Sequence, residues 1–203
     1  MQRSVSPVVD DASGGWNAVA AEFIASRNPS IGVATVRLWA AALPVGASIL
    51  DLGCGHGTPI SAALVENGFD VYGVDASPDL VAEFRRRLPG TAVRCEAVET
   101  SKFFERRFDA AIAIGLMFLL RDDAQGQLIR RVAAALAPGG RFLFTAPTQD
   151  VSWTDVLTGR QSRSLGMDAY TAMLHEADLE LVDEFTDEGE NHYYSTRRVV
   201  QAP

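Results

Sequence analysis

Residues 49–60 read ILDLGCGHGTPI, an apolar run that closes on a carboxylate, Asp51, and opens into Gly53, Gly55 and Gly57. Glycine has no Cβ, so a loop this bare lets a ligand approach the main chain. A helix starting just beyond it would add unpaired N–H groups. Asp51, two residues ahead of the first glycine, changes what such a loop favours. A carboxylate at that mouth suits a cationic or zwitterionic group better than a pyrophosphate. A second acid, Asp75, ends the run VYGVD. At the end of a neighbouring strand its two oxygens could accept hydrogen bonds from a vicinal diol. Near the C-terminus Glu190, His192 and Tyr193 fall close together, and an imidazole is the side chain best suited to exchange a proton near neutral pH.

The elements that must position these residues follow from the hydrophobic pattern. Short β-rich runs (ASILDL, FDVYGVD, TAVRCE, FDAAIAIGL, RFLFTAP) alternate with helical segments near 59–67, 78–88 and 122–136, the pattern of a parallel sheet wound with helices on both faces. Ahead of them, Trp16, Val19, Ala20, Phe23 and Ile24 have helical spacing, and a second helix is expected over 31–42. Residues 148–166 read as a loop and 167–177 as a helix. The runs LELVDEFTD and HYYSTRRVV follow, with only Glu188 to Asn191 between them. So short a connection forces antiparallel pairing. The expectation is an α/β fold, a doubly wound, mostly parallel sheet with a C-terminal antiparallel hairpin, and one domain in which residues 1–44 form a helical cap on 45–203.

Composition narrows the function. At 203 residues, 47% hydrophobic and 22% charged, the chain can bury a core of ordinary size. A formal charge of −8 repels phosphate backbones, so no nucleic-acid partner is expected. The run Arg85 to Arg87 reads as the solvated end of a helix. Two cysteines, Cys54 and Cys95, imply no disulfide framework. The absence of a long apolar segment points to a cytoplasmic protein without a membrane partner. Oligomeric state stays open.

Both NAD and S-adenosylmethionine carry the diol that Asp75 could hold, but the glycine spacing is G-x-G-x-G rather than the dinucleotide G-x-G-x-x-G. Taken together, ILDLGCGHG, VYGVDASPDLV, FDAAIAIGLMFLL and LAPGGRFLFTAP resemble the ordered motifs of the class I S-adenosylmethionine-dependent methyltransferases. The resemblance covers about residues 49–147. It implies a Rossmann-like seven-stranded sheet, S-adenosyl-L-methionine as cofactor and S-adenosyl-L-homocysteine as product. Carried over residue by residue, it places Asp51, Gly53, Cys54 and Gly55 at the methionine portion. Asp75 takes the ribose, Ala76 lies beside the adenine, Ala97 or Val98 meets the adenine edge, and Ile114 and Gly115 lie under the sulfonium. The family's third-motif acid has no aspartate here, only Glu96 or Glu99.

Ligands of open α/β sheets collect beyond the carboxyl ends of the strands. Segments able to reach that rim supply the substrate candidates, Trp16 and Arg27 from the N-terminal helix and Trp153, Arg160 and Arg163 from the loop. His56 is expected to cover the cofactor, and Leu116, Met117 and Phe118 to line an apolar pocket. His192 is the expected general base for a hydroxyl acceptor, with Glu190 second and Tyr193 beside it. The fourth motif ends IGLMFLL, without the pattern of amino-directed DNA enzymes and without a metal ligand, so a small-molecule acceptor and no metal are expected. A nicotinamide-dependent oxidoreductase and a non-catalytic cofactor-binding protein are the alternatives.

Overall fold

All five residues of β1 (Ser48–Leu52) are buried, as a strand covered on both faces must be. A computed structural model describes residues 11–200. Around β1 stand β2 (Asp70–Asp75), β3 (Ala92–Cys95), β4 (Phe108–Ala113) and β5 (Leu136–Thr145), all pairing in parallel. The C-terminal strands β8 (Leu179–Thr186) and β9 (His192–Arg198) pair antiparallel, and β9 also runs antiparallel to β5. The order is β3-β2-β1-β4-β5-β9-β8, the seven-stranded, mostly parallel sheet expected from the sequence.

Period-2 alternation sends neighbouring residues to opposite faces. Ile49, Ala110, Ile112, Leu143 and Tyr193 join one core, with Val36 and Trp39 of α2 (Val33–Ala40) and Ile60 and Leu64 of α3 (Ile60–Glu66). Leu50, Leu52, Ala111, Phe142, Phe144 and Tyr194 join the other. There Leu128, Ile129 and Val132 of α5 (Asp122–Ala135) and Tyr170 and Leu174 of α6 (Met167–Glu176) cover them. Between β2 and β3, α4 (Pro78–Arg87) starts on a proline, and its cap Ser77 accepts from the Leu80 N–H at 3.3 Å, so the chain turns into the helix directly after Asp75.

Two expectations need correction. Residues 148–166 are not a loop: β6 (Asp150–Thr154) and β7 (Gln161–Leu165) form a separate two-stranded hairpin. Its sequence alternates weakly in polarity, so the pairing is fixed by its turn, where Asp155 Oδ1 accepts from the N–H groups of Leu157 and Thr158. The first helix, α1 (Ala20–Ser26), begins later than its apolar spacing implies. Ahead of it Asp11 accepts from the N–H groups of Ser13 and Gly15, holding residues 11–18 as turns. Residues 1–10 of the expected cap lie outside the described residues.

Candidate active site

The glycine loop leaves β1 at the carboxyl edge of the sheet, and the amides of Gly53, Cys54, Gly55 and Gly57 are already committed. Gly53 and Cys54 both donate to the Val74 carbonyl, at 2.8 and 3.2 Å, and Gly57 donates to the Cys54 carbonyl. Gly55 donates to Asp75 Oδ2 at 2.9 Å. The sequence suggested free amides there, but α3 starts only at Ile60, behind Thr58 and Pro59. A loop with its donors spent has no grip for a pyrophosphate. Its bareness serves packing: at Gly57 (φ +83°) a Cβ would stand 2.9 Å from both Phe84 and Leu88, and at Gly53 (φ +69°) 3.1 Å from Leu116.

Two carboxylates flank the loop. Asp51 is 4% exposed, and among the described residues its one hydrogen-bond partner is Ser61, whose hydroxyl donates at 2.5 Å. Burial pushes the Asp51 carboxyl up to about 7, against the Ser61 bond; the charge of Asp75 adds to the rise and that of Arg27 opposes it. A carboxyl held so far from water is stabilised as an anion by an arriving cation. Asp75 Oδ1 accepts from the Ser77 N–H at 2.8 Å while Oδ2 takes that of Gly55. Burial also raises Asp75, against those two donors.

Both acids open into a cavity of about 540 Å³. Of the expected cofactor residues, Asp51, Gly53, Cys54, Gly55, Asp75, Ala76, Val98, Ile114 and Gly115 line it, and Ala97 does not. The Ala97 carbonyl instead accepts from the N–H groups of Thr100 and Ser101. Arg131 holds this loop by donating to the carbonyls of Val98 and Ser101, and Val98 is buried against the cavity while Glu99, exposed, stands on its wall. Trp16, Arg27 and Arg160 line the same cavity. Arg160 reaches it from the β6–β7 turn and lies 3.8 Å from Asp11, across the cavity mouth. His56 is buried, with Nδ1 lacking a hydrogen-bond partner among the described residues. Burial, with Arg87 and Arg27 adding, pushes its imidazole down to about 4, so it is a neutral wall residue edge-on to Phe23. Burial drives the Cys54 thiol up.

The C-terminal candidates separate. Trp153, Glu190 and His192 line a second cavity of about 380 Å³, which shares Phe118 and Asn191 with the first. Tyr193 points the other way: fully buried, it donates to Asp187 Oδ2 at 2.9 Å and stacks on Phe185. Its expected place beside the transferred group therefore does not match its position, because one step along a strand reverses the face. Arg163 lines neither cavity and pairs with Asp122 and Asp150.

Several partners escaped the sequence. Ser61 holds Asp51 from ten residues away, and Asn17 accepts from the Ser77 hydroxyl and the Asp79 N–H, which docks the N-terminal segment on the start of α4. Glu184 pairs with His192 across the hairpin at 3.0 Å. Each depends on contacts between separate elements. Only Glu184 had a local signal, its place on the strand opposite His192.

A wound sheet with this order, two acids at the ends of β1 and β2 and a donor-poor glycine loop defines the class I methyltransferase arrangement. Residues 49–140 match the family model described as a methyltransferase domain, a match that, with the relatives and solved structures that follow, supports a class I S-adenosylmethionine-dependent methyltransferase. Among curated proteins it is 30% identical to the aklanonic acid methyltransferase DauC of a Streptomyces species, over 72% of this chain and 66% of that one. It is 35% identical to the trans-aconitate 2-methyltransferase of Variovorax paradoxus, over 52% and 40%. The chain thus spans less than two thirds of the length of these relatives. In fold it resembles the Burkholderia thailandensis 1,6-didemethyltoxoflavin-N1-methyltransferase, at a TM-score of 0.71 and 23% identity, covering 92% of this chain and 90% of that one. The CcbJ methyltransferase of Streptomyces caelestis gives 0.71 at 20% identity, covering 94% and 98%.

Proposed function

We propose that the protein uses S-adenosylmethionine to methylate an oxygen or nitrogen of a small organic molecule. The observation that carries this reading is the pairing of a buried, desolvated Asp51 with a loop whose amides at residues 53–55 are spent inside the protein. Such a site repels a pyrophosphate and attracts the cationic amino-acid end of a sulfonium cofactor. Asp51 would hold its ammonium group and Asp75 its ribose hydroxyls, with Val98 and Ala76 beside the adenine. When bound, the cofactor supplies a methyl group whose bonding pair stays on sulfur as an acceptor lone pair takes the carbon. The chain's own part is alignment, which supplies much of the acceleration of such a displacement. Phe118, on the wall of both cavities, lies where an acceptor would approach the cofactor, and Arg160 and Trp16 line the larger cavity.

A small acceptor fits the cavity dimensions, and the relatives named above carry small molecules in their names. No helix among the described residues is long and apolar enough to cross a membrane, in keeping with a cytoplasmic site of action. The domain reading, a helical cap on residues 45–203, belongs to this proposal too, since Trp16 and Arg27 come from the cap. Calorimetric titration with S-adenosylhomocysteine beside NADH tests it. Binding of S-adenosylhomocysteine alone is expected. Binding of NADH alone would overturn it in favour of hydride chemistry, and binding without turnover of any acceptor would favour a non-catalytic cofactor-binding protein.

A further inference from the structure

The second cavity has chemistry that the methyl-transfer reading does not use. Phe118 and Trp153 meet on its wall with ring centroids 5.2 Å apart. Trp153 is carried there by the β6–β7 hairpin. Among the described residues no lysine or arginine lines this cavity, and Glu190 does. The larger cavity, in contrast, has Arg27, Arg121 and Arg160 on its wall. An anionic acceptor entering the smaller cavity would meet a carboxylate and no cation, at the cost of an unpaired charge. A flat uncharged ring would meet two aromatic faces.

His192 lies on the same wall, its side chain 18% exposed. Its Nε2 stands 3.0 Å from Glu184 Oε1. An ionised carboxylate only accepts, so the hydrogen in this contact belongs to Nε2 and the neutral ring keeps its lone pair on Nδ1. Tyr194 packs edge-on against the imidazole at 4.8 Å. The charged and titratable groups around it are Glu184 from β8, Glu190 from the turn and the Tyr194 phenol. The segment 145–149 contributes only uncharged residues. The two cavities meet where the Gly115 N–H donates to Thr145 Oγ1 at 2.7 Å, Gly115 lining the larger and Thr145 the smaller.

Resting on the methyl-transfer reading above, we infer that the smaller cavity is the acceptor chamber for a planar, uncharged aromatic molecule with a hydroxyl or ring N–H, whose proton passes to His192 while Glu184 positions that imidazole. The X–H bond breaks with its electron pair left on the acceptor atom, and the proton goes to His192 Nδ1. The acceptor gains a methyl cation equivalent in exchange, so it enters and leaves uncharged. The carboxylate of Glu184 offsets the imidazolium until solvent takes the proton. Glu184 is a positioning residue in this scheme and His192 the catalytic one.

The test uses protein saturated with S-adenosylhomocysteine and fluorescence titration with 2-naphthol, 7-hydroxycoumarin and 2-naphthoate. At least one of the two phenols should bind at least about tenfold more tightly than the carboxylate. Trp153→Ala should weaken that binding about tenfold and leave S-adenosylhomocysteine affinity unchanged. Glu184→Gln should lower kcat for the bound phenol about tenfold at unchanged KM, and Glu184→Asp should restore part of it, a split that a purely structural role would not produce. Supplied with S-adenosylmethionine, the enzyme should methylate the bound phenol, and His192→Gln should lower kcat by about 100-fold. Equal or tighter binding of naphthoate, no binding of either phenol, no methylation of a bound one, or an unchanged kcat in Glu184→Gln would each overturn the proposal. Failure of S-adenosylhomocysteine itself to bind would instead bring down the reading on which it rests.

Discussion

Replacing Asp51 with asparagine should make the ligand-free protein more stable and leave it unable to hold its cofactor. Below pH 3.8, the ordinary value, this carboxyl is protonated both folded and unfolded, and it costs nothing. Between 3.8 and about 7 the unfolded chain has released the proton that the folded one retains. Folding then loses about 1.4 kcal/mol per pH unit, on the order of 4 kcal/mol by pH 7, and no more above it. Asparagine never ionises, and its side-chain oxygen still accepts from Ser61. Urea unfolding at pH 5, 6, 7 and 8 without ligand reads the difference. The variant's advantage should grow from about 1.5 kcal/mol at pH 5 to about 4 kcal/mol at pH 7, then level off. Calorimetry at pH 8 should show its S-adenosylhomocysteine affinity down by about 100-fold, since an ionised partner is lost. Wild-type affinity should fall as pH drops below 7, because the bound ammonium has to displace the proton. A stability difference that does not change with pH, or a wild type more stable than the variant at pH 8, would refute the desolvation reasoning.

Other perturbations separate binding from architecture. Asp75→Ala frees the Gly55 and Ser77 amides as well as the diol site, and should lower S-adenosylhomocysteine affinity by about 100- to 1000-fold in calorimetry. Tyr193→Phe removes a buried bond to Asp187. It should cost about 1–2 kcal/mol in urea unfolding while kcat changes less than about twofold. A large kcat loss with stability intact would return Tyr193 to the chemistry. Gly57→Ala places a methyl 2.9 Å from Phe84 and Leu88 at a positive φ. Thermal unfolding should show a loss of about 2–4 kcal/mol.

The path of the chain was legible in the sequence because it rests on local patterning. Short β-rich runs carrying Asp51 and Asp75 named two neighbouring strands, and the four residues from Glu188 to Asn191 could only close a hairpin. Chemistry carried by the backbone at a strand end is likewise local, so the residues proposed for the cofactor side, 51–55 and 75, could be named from spacing alone. On the proposed acceptor side the sequence named Trp153, Phe118, Glu190 and His192 but not how they meet. Residues 148–166 alternate too weakly to mark β6 and β7, and these bring Trp153 onto Phe118 only once the hairpin has folded over the sheet. Tyr193 and His192 are neighbours, both placed at the site from the sequence, with His192 the expected base. The direction in which β9 enters the sheet decides that His192 faces the smaller cavity while Tyr193 is buried in the opposite core. Spacing along the chain determines which residues share a strand or a loop. Which side chains meet across elements, Ser61 on Asp51 and Glu184 on His192, is decided by packing, because those contacts exist only after the layers have closed.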